Sequence, residues 1–296
     1  MVSNLLVRID VSRKDFSKGQ RRIAAYIEEH YDAAAFMTAA KLGEVVGVSE
    51  STVVRFATQI GYEGYPYLRK AMQEMIRDKL NSVQRIEVTT GRIGTDDVVE
   101  SVLNQDIDKI KRTIEEVSRE DFKKTVQAII NAENIYVFGV KSASYIASFF
   151  AYYLDLIFGN VHILNSTSKT TTYEKLFRIT DKDVMIGISF PRYSTMAVDA
   201  MNFAHERGAE VIAITDSMIS PLVTNADEVL LARSDIASVV DTLVAPLSLI
   251  NALLVAVVIE RKDDIMKTFS DLEEVWKEQN VYARDNTADK EDAANA

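Results

Sequence analysis

Residues 184–195 read VMIGISFPRYST: an unbroken apolar run of strand length that stops abruptly in serine, proline, arginine and two further hydroxyls. A short run without polar alternation suits a strand buried on both faces. Four further runs share this character, IYVFGV at 135–140, VHILN at 161–165, EVIAIT at 210–215 and EVLLA at 228–232, while 184–190 supplies the strand of the opening stretch. Helix-length amphipathic segments separate them. Strands alternating with helices predict an α/β doubly wound five-stranded parallel sheet, in the flavodoxin-like order 2-1-3-4-5.

In that order strands one and three are neighbours, and ligands bind in the crevice beyond their carboxyl ends. Strand one runs into Gly139-Val140-Lys141-Ser142-Ala143-Ser144 and strand three into Ser189-Phe190-Pro191-Arg192-Tyr193-Ser194-Thr195. Each loop offers hydroxyls, backbone N–H groups at a helix N-terminus and one cation, which is the equipment for holding a phosphate. Serines in a single loop of this kind read most simply as caps of the next helix. Two such loops at the topologically expected ligand position favour an anion site, with Lys141, Ser142, Ser144, Ser189, Arg192, Ser194 and Thr195 as candidates.

Composition narrows the chemistry. The 296 residues contain no cysteine and three scattered histidines, His30, His162 and His205, so zinc sites and thiol catalysis are not expected. No cofactor or metal is expected either. No apolar stretch is long enough to span a bilayer and the N-terminus lacks a signal-peptide pattern, so a cytoplasmic protein with no membrane partner is the expectation. The net charge of -10 is unevenly spread: residues 1–80 carry 12 basic and 10 acidic side chains, the remainder 22 and 34. The acidity thus belongs to the C-terminal part, an asymmetry compatible with a basic-leaning reading head on an acidic body.

The N-terminal part is helical throughout. Ser17 with Gln20 forms a capping-box signature ahead of a helix with Ile23, Ile27 and His30 on one stripe. Within 38–60, TAAKLGEVVGVSESTVVRFATQI, Ala39, Leu42 and Val46 make the apolar stripe of one helix, Gly47 supplies a positive φ at its end, and Ser49 caps a second. Val53, Phe56, Ala57 and Ile60 bury one face of that second helix and leave Ser51, Thr52, Arg55 and Gln59 on the other. This is the grammar of a helix-turn-helix, in which small hydroxyls approach bases or phosphates and arginine takes guanine. An ordinary helical hairpin with a polar face is the plainer alternative.

Beyond the reading head, NSVQRIEVTTGRIGT at 81–95 has no sustained period and reads as a linker. Leu103, Ile107, Ile110, Ile114 and Val117 then repeat at four and three, a stripe fit for its own domain or for a partner helix. Ser118 with Asp121 caps the helix carrying Phe122, Val126 and Ile129. Residues 239–261 form a strongly apolar helix with Pro246 inside it, either core or subunit contact. The tail from 283, polar and without aromatics, is expected to be disordered.

Two resemblances attach to these residues. The run Val48-Ser49 through Thr52-Val53, Arg55-Phe56 and Gly61-Tyr62 resembles the N-terminal helix-turn-helix of RpiR-type bacterial transcriptional regulators. Residues 123–262 resemble the SIS, or sugar isomerase, domain, whose phosphosugar pocket uses a Gly-x-Gly-x-Ser loop after strand one and a Ser-x-Ser-Gly-x-Thr loop after strand three. Here Ser142, Ser144, Ser189 and Ser194 match, the last in place of threonine, but Lys141 stands at the second glycine and Pro191 and Arg192 replace a serine and the glycine. The stretch ERGAEVIAITDSMISPL at 206–222 also follows the domain's pattern.

The resemblance implies a helix-turn-helix DNA-binding domain at 1–80, a linker and connecting helix at 81–122, a SIS phosphosugar-binding domain at 123–265, and a C-terminal helix and tail at 266–296. It implies a regulator of carbohydrate metabolism genes, a repressor rather than an activator, controlled by a sugar-phosphate effector. Its partners are then pseudo-palindromic operator DNA and further copies of itself, as a homodimer or homotetramer. DNA contacts are expected from Lys41, Ser49, Ser51, Thr52, Arg55 and Gln59. The alternatives are a phosphosugar isomerase or lyase with an appended helical domain, and a helical interaction module without DNA. An isomerase needs a base, and His205, Glu206 and Glu174 are the nearest candidates, each equally explained as a solvated helix charge. No catalytic residue is expected.

Overall fold

The computed structural model describes residues 5–76, 86, 97–234 and 240–282. The expected linker at 81–95, Ile86 apart, and the tail from 283 lie outside these residues. The described residues fall into two compact units. One holds those up to Arg112 together with Phe190–Ser194 and Arg233–Thr242; the other holds Thr113–Ser189, Thr195–Ala232 and those from Leu243 onward.

The first unit begins with α1 (Leu5–Ser12), a 3-10 turn (Arg13–Asp15), α2 (Lys18–Ala34), α3 (Ala39–Val46), α4 (Glu50–Gln59) and α5 (Tyr65–Ile76). The capping box forms as the sequence predicts: the Ser17 amide donates to Gln20 Oε1 at 2.9 Å and the Gln20 amide to Ser17 Oγ at 3.4 Å. Leu5, Ile9, Ile23, Ile27, Leu42, Val53, Phe56, Leu68 and Met72 share one core. His30 departs from its expected place on the buried stripe. Its backbone leaves the helical region (φ -132°, ψ 41°), the helix kinks there, and the ring is exposed.

The helix α6 (Val98–Glu116) runs on from the first unit, and α7 (Arg119–Asn131) follows it in the second. Along α6 the expected apolar stripe is only partly covered: Val117, just beyond its end, is buried, whereas Leu103, Ile107 and Ile114 are exposed. Ser118 caps α7 by accepting from the Asp121 amide at 3.1 Å.

The second unit is built on β1 (Ile135–Phe138), β2 (Val161–Leu164), β3 (Val184–Ile188), β4 (Glu210–Thr215) and β5 (Glu228–Leu231), all parallel, in the order β2-β1-β3-β4-β5. This is the expected doubly wound sheet. β1, β2, β3 and β5 end one or two residues earlier than the apolar runs do, because the last residues of those runs already turn into loops. Between the strands lie α8 (Ala143–Phe158), α9 (Lys169–Leu176) and α10 (Thr195–Glu206), followed after the sheet by α11 (Val244–Glu260) and α12 (Lys262–Glu278). Ile135, Phe138, Phe150, Ile186, Ile212 and Leu253 are fully buried in this layered core. The apolar helix starts later than its pattern implied, at Val244, so Pro246 falls in the first turn, where a missing N–H costs no intrahelical bond. No single helix among the described residues is long and apolar enough to cross a membrane.

At the amino end of β5, Glu228 is buried with Glu210 and Asp227 beside it, and its Oε2 has no hydrogen-bond partner. Burial first, then the neighbouring carboxylates, pushes the Glu228 carboxyl up from 4.5 to about 7. A folded-state pKa above the unfolded one means the folded chain holds an extra proton between the two, so this stabilisation is complete below about 4.5 and is lost as pH rises through about 7. A Glu228→Gln variant is therefore expected to show a flatter fall of Tm between pH 5 and 8 (roughly that window) than the parent. Parallel Tm profiles for the two proteins would contradict the assignment.

Candidate functional site

The helix-turn-helix is assembled by caps and one close approach. Thr38 accepts from the Lys41 amide at 3.1 Å to open α3, and Gly47 closes it in the left-handed region at φ 71° and ψ 46°. Ser49 opens α4 by accepting from the Thr52 amide at 3.3 Å. A Cβ on Gly43 of α3 would lie 2.8 Å from the carbonyl oxygen of Val48 in the turn, so the turn folds back onto α3 at a distance only glycine permits. Val53, Phe56, Ala57 and Ile60 are buried beneath α4 as the pattern predicts.

On the outer face of α4, Ser49 Oγ lies 3.0 Å from Ser51 Oγ and 2.8 Å from Thr52 Oγ1, a group of hydroxyls at the helix N-terminus. Arg55 is exposed one turn later, its Nε donating to the Ser51 carbonyl at 3.3 Å. Lys41 is exposed and pairs with Glu44 at 3.0 Å. Gln59 differs from expectation: its amide donates to the Asp15 carbonyl at 2.9 Å and accepts from Gln20 Nε2, so it ties α4 to the start of the domain. Sequence periodicity put it on the polar face, where it is exposed, but its amide is engaged within the domain. Arg22, not singled out from the pattern, donates to the Gly47 carbonyl at 3.2 Å. It stands with Lys18 and Arg21 on the exposed side of α2. A cluster of three bases in the first turns of α2 was the available signal.

In the second unit β1 pairs with β3 in register, Phe138 opposite Gly187, so the loops after both strands start side by side at one edge of the sheet. Gly139 continues β1 by donating to the Leu164 carbonyl at 3.1 Å. A Cβ on Gly139 would stand 2.6 Å from Ala147 Cβ and 2.7 Å from the Ala143 carbonyl oxygen. Glycine there lets the first turn of α8 close directly onto the strand end. Ser142 occupies the N-cap position in helical geometry and makes no side-chain cap bond, contrary to the simplest reading of its serine. Ser144 turns back instead, its Oγ donating to the Lys141 carbonyl at 2.6 Å. Ser189 is buried, with its amide on the Ile214 carbonyl and its own carbonyl accepting from Thr215 Oγ1 at 2.9 Å. Thr195 is exposed at the first position of α10.

Lys141 and Arg192 share an unusual backbone. Both have positive φ, 57° and 65°, and Asn280 is the one other described non-glycine residue that does. These are the two positions where the sugar-isomerase pattern carries glycine, and the left-handed geometry is kept although the residues are cations. Such a conformation costs roughly 1 kcal/mol or more for an L side chain. Both side chains are exposed. Arg192 and Ser194 belong to the first compact unit and Lys141, Ser142, Ser144, Ser189 and Thr195 to the second.

The residues weighed as a catalytic base are all exposed. His205 and Glu206 are exposed at the C-terminal end of α10, the end remote from the loop after β3, and Glu174 is exposed on α9.

A helix-turn-helix followed by a parallel α/β sheet unit defines a class, DNA-binding regulators with a second domain behind the reading head. Comparison with known proteins gives the family. Residues 3–79 match the helix-turn-helix domain of the rpiR family and residues 128–256 match the SIS domain. An uncharacterized HTH-type transcriptional regulator of Caldanaerobacter subterraneus subsp. tengcongensis is 25% identical over 284 residues, covering 93% of this chain and 97% of its own. HexR, an HTH-type transcriptional regulator of Escherichia coli, is 25% identical over 232 residues, 75% of each chain. Among solved structures, the sugar isomerase domain of an RpiR transcription factor from Sphaerobacter thermophilus superimposes with a TM-score of 0.56 at 26% identity, over 58% of this chain and 96% of that one. The Vibrio vulnificus NanR protein complexed with ManNAc-6P shares the fold at a TM-score of 0.57 and 23% identity, over 95% of this chain and all of its own (100%). The chain belongs to the RpiR family of helix-turn-helix transcriptional regulators, with a C-terminal SIS domain.

The close approach at Gly43 gives a direct check of the reading head. Gly43→Ala is expected to lower stability by about 1–3 kcal/mol, since the Val48 carbonyl is backbone and cannot swing aside. Thermal unfolding of this variant with no loss of Tm would contradict the packing described.

Proposed function

We propose that this regulator represses carbohydrate metabolism genes and is controlled by a phosphorylated sugar, and that it does not itself turn that sugar over. The observation that carries the ligand reading is the pair of left-handed cations, Lys141 and Arg192, in the loops after two adjacent strands. A strained backbone that exposes a charged side chain, at a position where the family pattern uses strain-free glycine, has a use for the charge. Lys141, Ser142, Ser144, Ser189 and Thr195 are the proposed phosphate contacts of the sheet unit, and Arg192 and Ser194 those of the loop after β3. A sugar phosphate is the favoured class because the fold is one in which the NanR protein was solved with ManNAc-6P.

DNA is read by Ser51, Thr52 and Arg55, with Ser49 and Lys41 on phosphates. Lys18, Arg21 and Arg22 are added as phosphate contacts and Gln59 is withdrawn, since its amide is engaged within the domain. One recognition helix binds weakly, so at least two copies read a pseudo-palindrome with half-sites about 34 Å apart or a multiple of it. Self-association is supported by α11, which is apolar on all sides yet exposes Val255, Val258 and Ile259.

A thermal-shift series against sugar phosphates tests the ligand reading. A ligand at 100 times its Kd is expected to stabilise the parent by about 2.7 kcal/mol. Lys141→Gly with Arg192→Gly is expected to lower affinity by about tenfold or more while leaving the ligand-free Tm nearly unchanged, because relieved strain offsets the freer unfolded chain. No sugar phosphate raising Tm, or a double glycine variant that binds as well as the parent, would refute the site. Turnover of a hexose or pentose phosphate would favour the isomerase instead. For the reading head, Arg55→Ala is expected to relax sequence preference and weaken operator binding by about 1–3 kcal/mol; a variant with full, sequence-specific affinity would contradict the assignment.

A further inference from the structure

At the amino ends of β4 and β5 the carboxylates Glu210, Asp227 and Glu228 meet Asp121 of α7, close enough to act on one another. Ile212 of β4 pairs with Glu228 of β5, and Glu210 lies two residues before Ile212, so Glu210 and Glu228 share one face of the sheet. The Glu228 carboxyl donates to Glu210 across that face. Glu228 is 6% exposed, and its Oε2 has no hydrogen-bond partner. Such a pair forms only while one of the two holds a proton, because ionised carboxylates accept and have nothing to donate.

Asp121 ties α7 to this place. Its carboxylate accepts from the Val229 amide at 3.3 Å, and its own amide donates to Ser118 Oγ, the cap of the helix. Val229 follows Glu228 directly, so a charge on Glu228 bears on the Asp121 carboxylate. Thr125 lies one turn beyond Asp121 on the same side of α7, fully buried, and its Oγ1 has no partner. Each buried polar atom left without a partner costs about 1–3 kcal/mol, so the seating of this helix is weakly held. Lys124 is the one base acting on Glu228, and it is exposed and paired with Glu120 at 3.2 Å. Asp227 is held by the Val211 amide, which donates to its Oδ2 at 2.8 Å.

We propose that a proton shared by Glu210 and Glu228 latches the first turns of α7 onto β5, and that its loss loosens them. With the pair fully ionised, two charges face Asp121 and Asp227, and only the exposed Lys124 offsets them. Three of the four carboxylates are fixed to strands, so the repulsion is relieved by the one carried on a helix, Asp121. Burial and the neighbouring carboxylates raise Glu228 to about 7, so the latch is closed below that pH and opens above it. α7 is the first helix of the sheet unit after α6, which begins in the other unit. The chain joining the two units thus enters the sheet unit through a proton-dependent contact. That contact stands at the amino edge of the sheet, whereas the loops after β1 and β3 leave its carboxyl edge.

Hydrogen exchange of the full chain, read by mass spectrometry and corrected for intrinsic rates, tests the latch. Between about pH 6 and 8 the parent is expected to lose protection about tenfold in peptides spanning 119–126, while β4 keeps its own. Glu228→Gln is expected to hold that protection across the range. Asp121→Asn is expected to hold it above about pH 7 as well, since its amide oxygen still accepts from Val229 without the opposed charge. Glu210→Gln is expected to move the midpoint to lower pH, because a neutral amide donates to the Glu228 carboxylate and stabilises its charge. Protection that is independent of pH in the parent overturns the latch, as does an equal loss in β4 and α7, which is a change of global stability. A Glu228→Gln or Asp121→Asn protein that loses protection as the parent does overturns the part given to that residue. An unmoved midpoint in Glu210→Gln overturns the sharing of the proton.

Discussion

The pairing of β1 with β3 is the constraint on which the rest of the sheet unit depends. β1 lies between β2 and β3, so the chain leaves it in one direction through α8 and comes back on its other side after α9. In a doubly wound sheet of this order the carboxyl ends of the first and third strands are the topological switch point, where ligands bind in such folds. Gly139 lets α8 close onto the end of β1, with Ala147 Cβ 2.6 Å from where a glycine-replacing Cβ would be. Thr215 Oγ1 donates to the carbonyl of buried Ser189 and ties the end of β4 to that of β3.

Lys141 and Arg192 extend that logic from shape to energy. Glycine would adopt their backbone without strain, and a cation does so only against a cost of roughly 1 kcal/mol each. The cost is small beside a domain's stability of about 5–15 kcal/mol, yet both of these loops carry it. Ser142 at the N-cap of α8 makes no side-chain cap bond, and Ser144 turns back on the Lys141 carbonyl instead. In the reading head the balance is reversed. Thr38 and Ser49 cap, Gly47 turns and Gly43 permits contact, so that the exposed hydroxyls and Arg55 of α4 are held by a rigid base.

Sheet order, strand number and both halves of the helix-turn-helix were readable because they depend on local periodicity and on caps that act within three residues. Ser17 with Gln20, Ser49 with Thr52, and Ser118 with Asp121 form the bonds that their spacing predicts. What was not readable depends on residues far apart in the chain. Gln59 sits on the polar side of α4 by period, but Asp15 and Gln20 reach it from the N-terminal turn. His30 follows the apolar stripe by count, and a local kink takes it away. The apolar pattern begins before its helix does, so Pro246 stands in the first turn of α11 and not deeper inside it. The positive φ of Lys141 and Arg192 could be suspected only where a family pattern shows glycine, since neither residue type signals it.

The central claim is that one ligand state of the sheet unit favours DNA binding by the reading head over the other, which requires unequal affinity of the effector for the two arrangements. Fluorescence anisotropy of operator DNA, titrated with the protein at fixed salt with and without a saturating sugar phosphate identified by thermal shift, measures it most directly. The account predicts affinities that differ by about five- to 150-fold, the usual range of such coupling. Equal affinity at saturating sugar phosphate would contradict it.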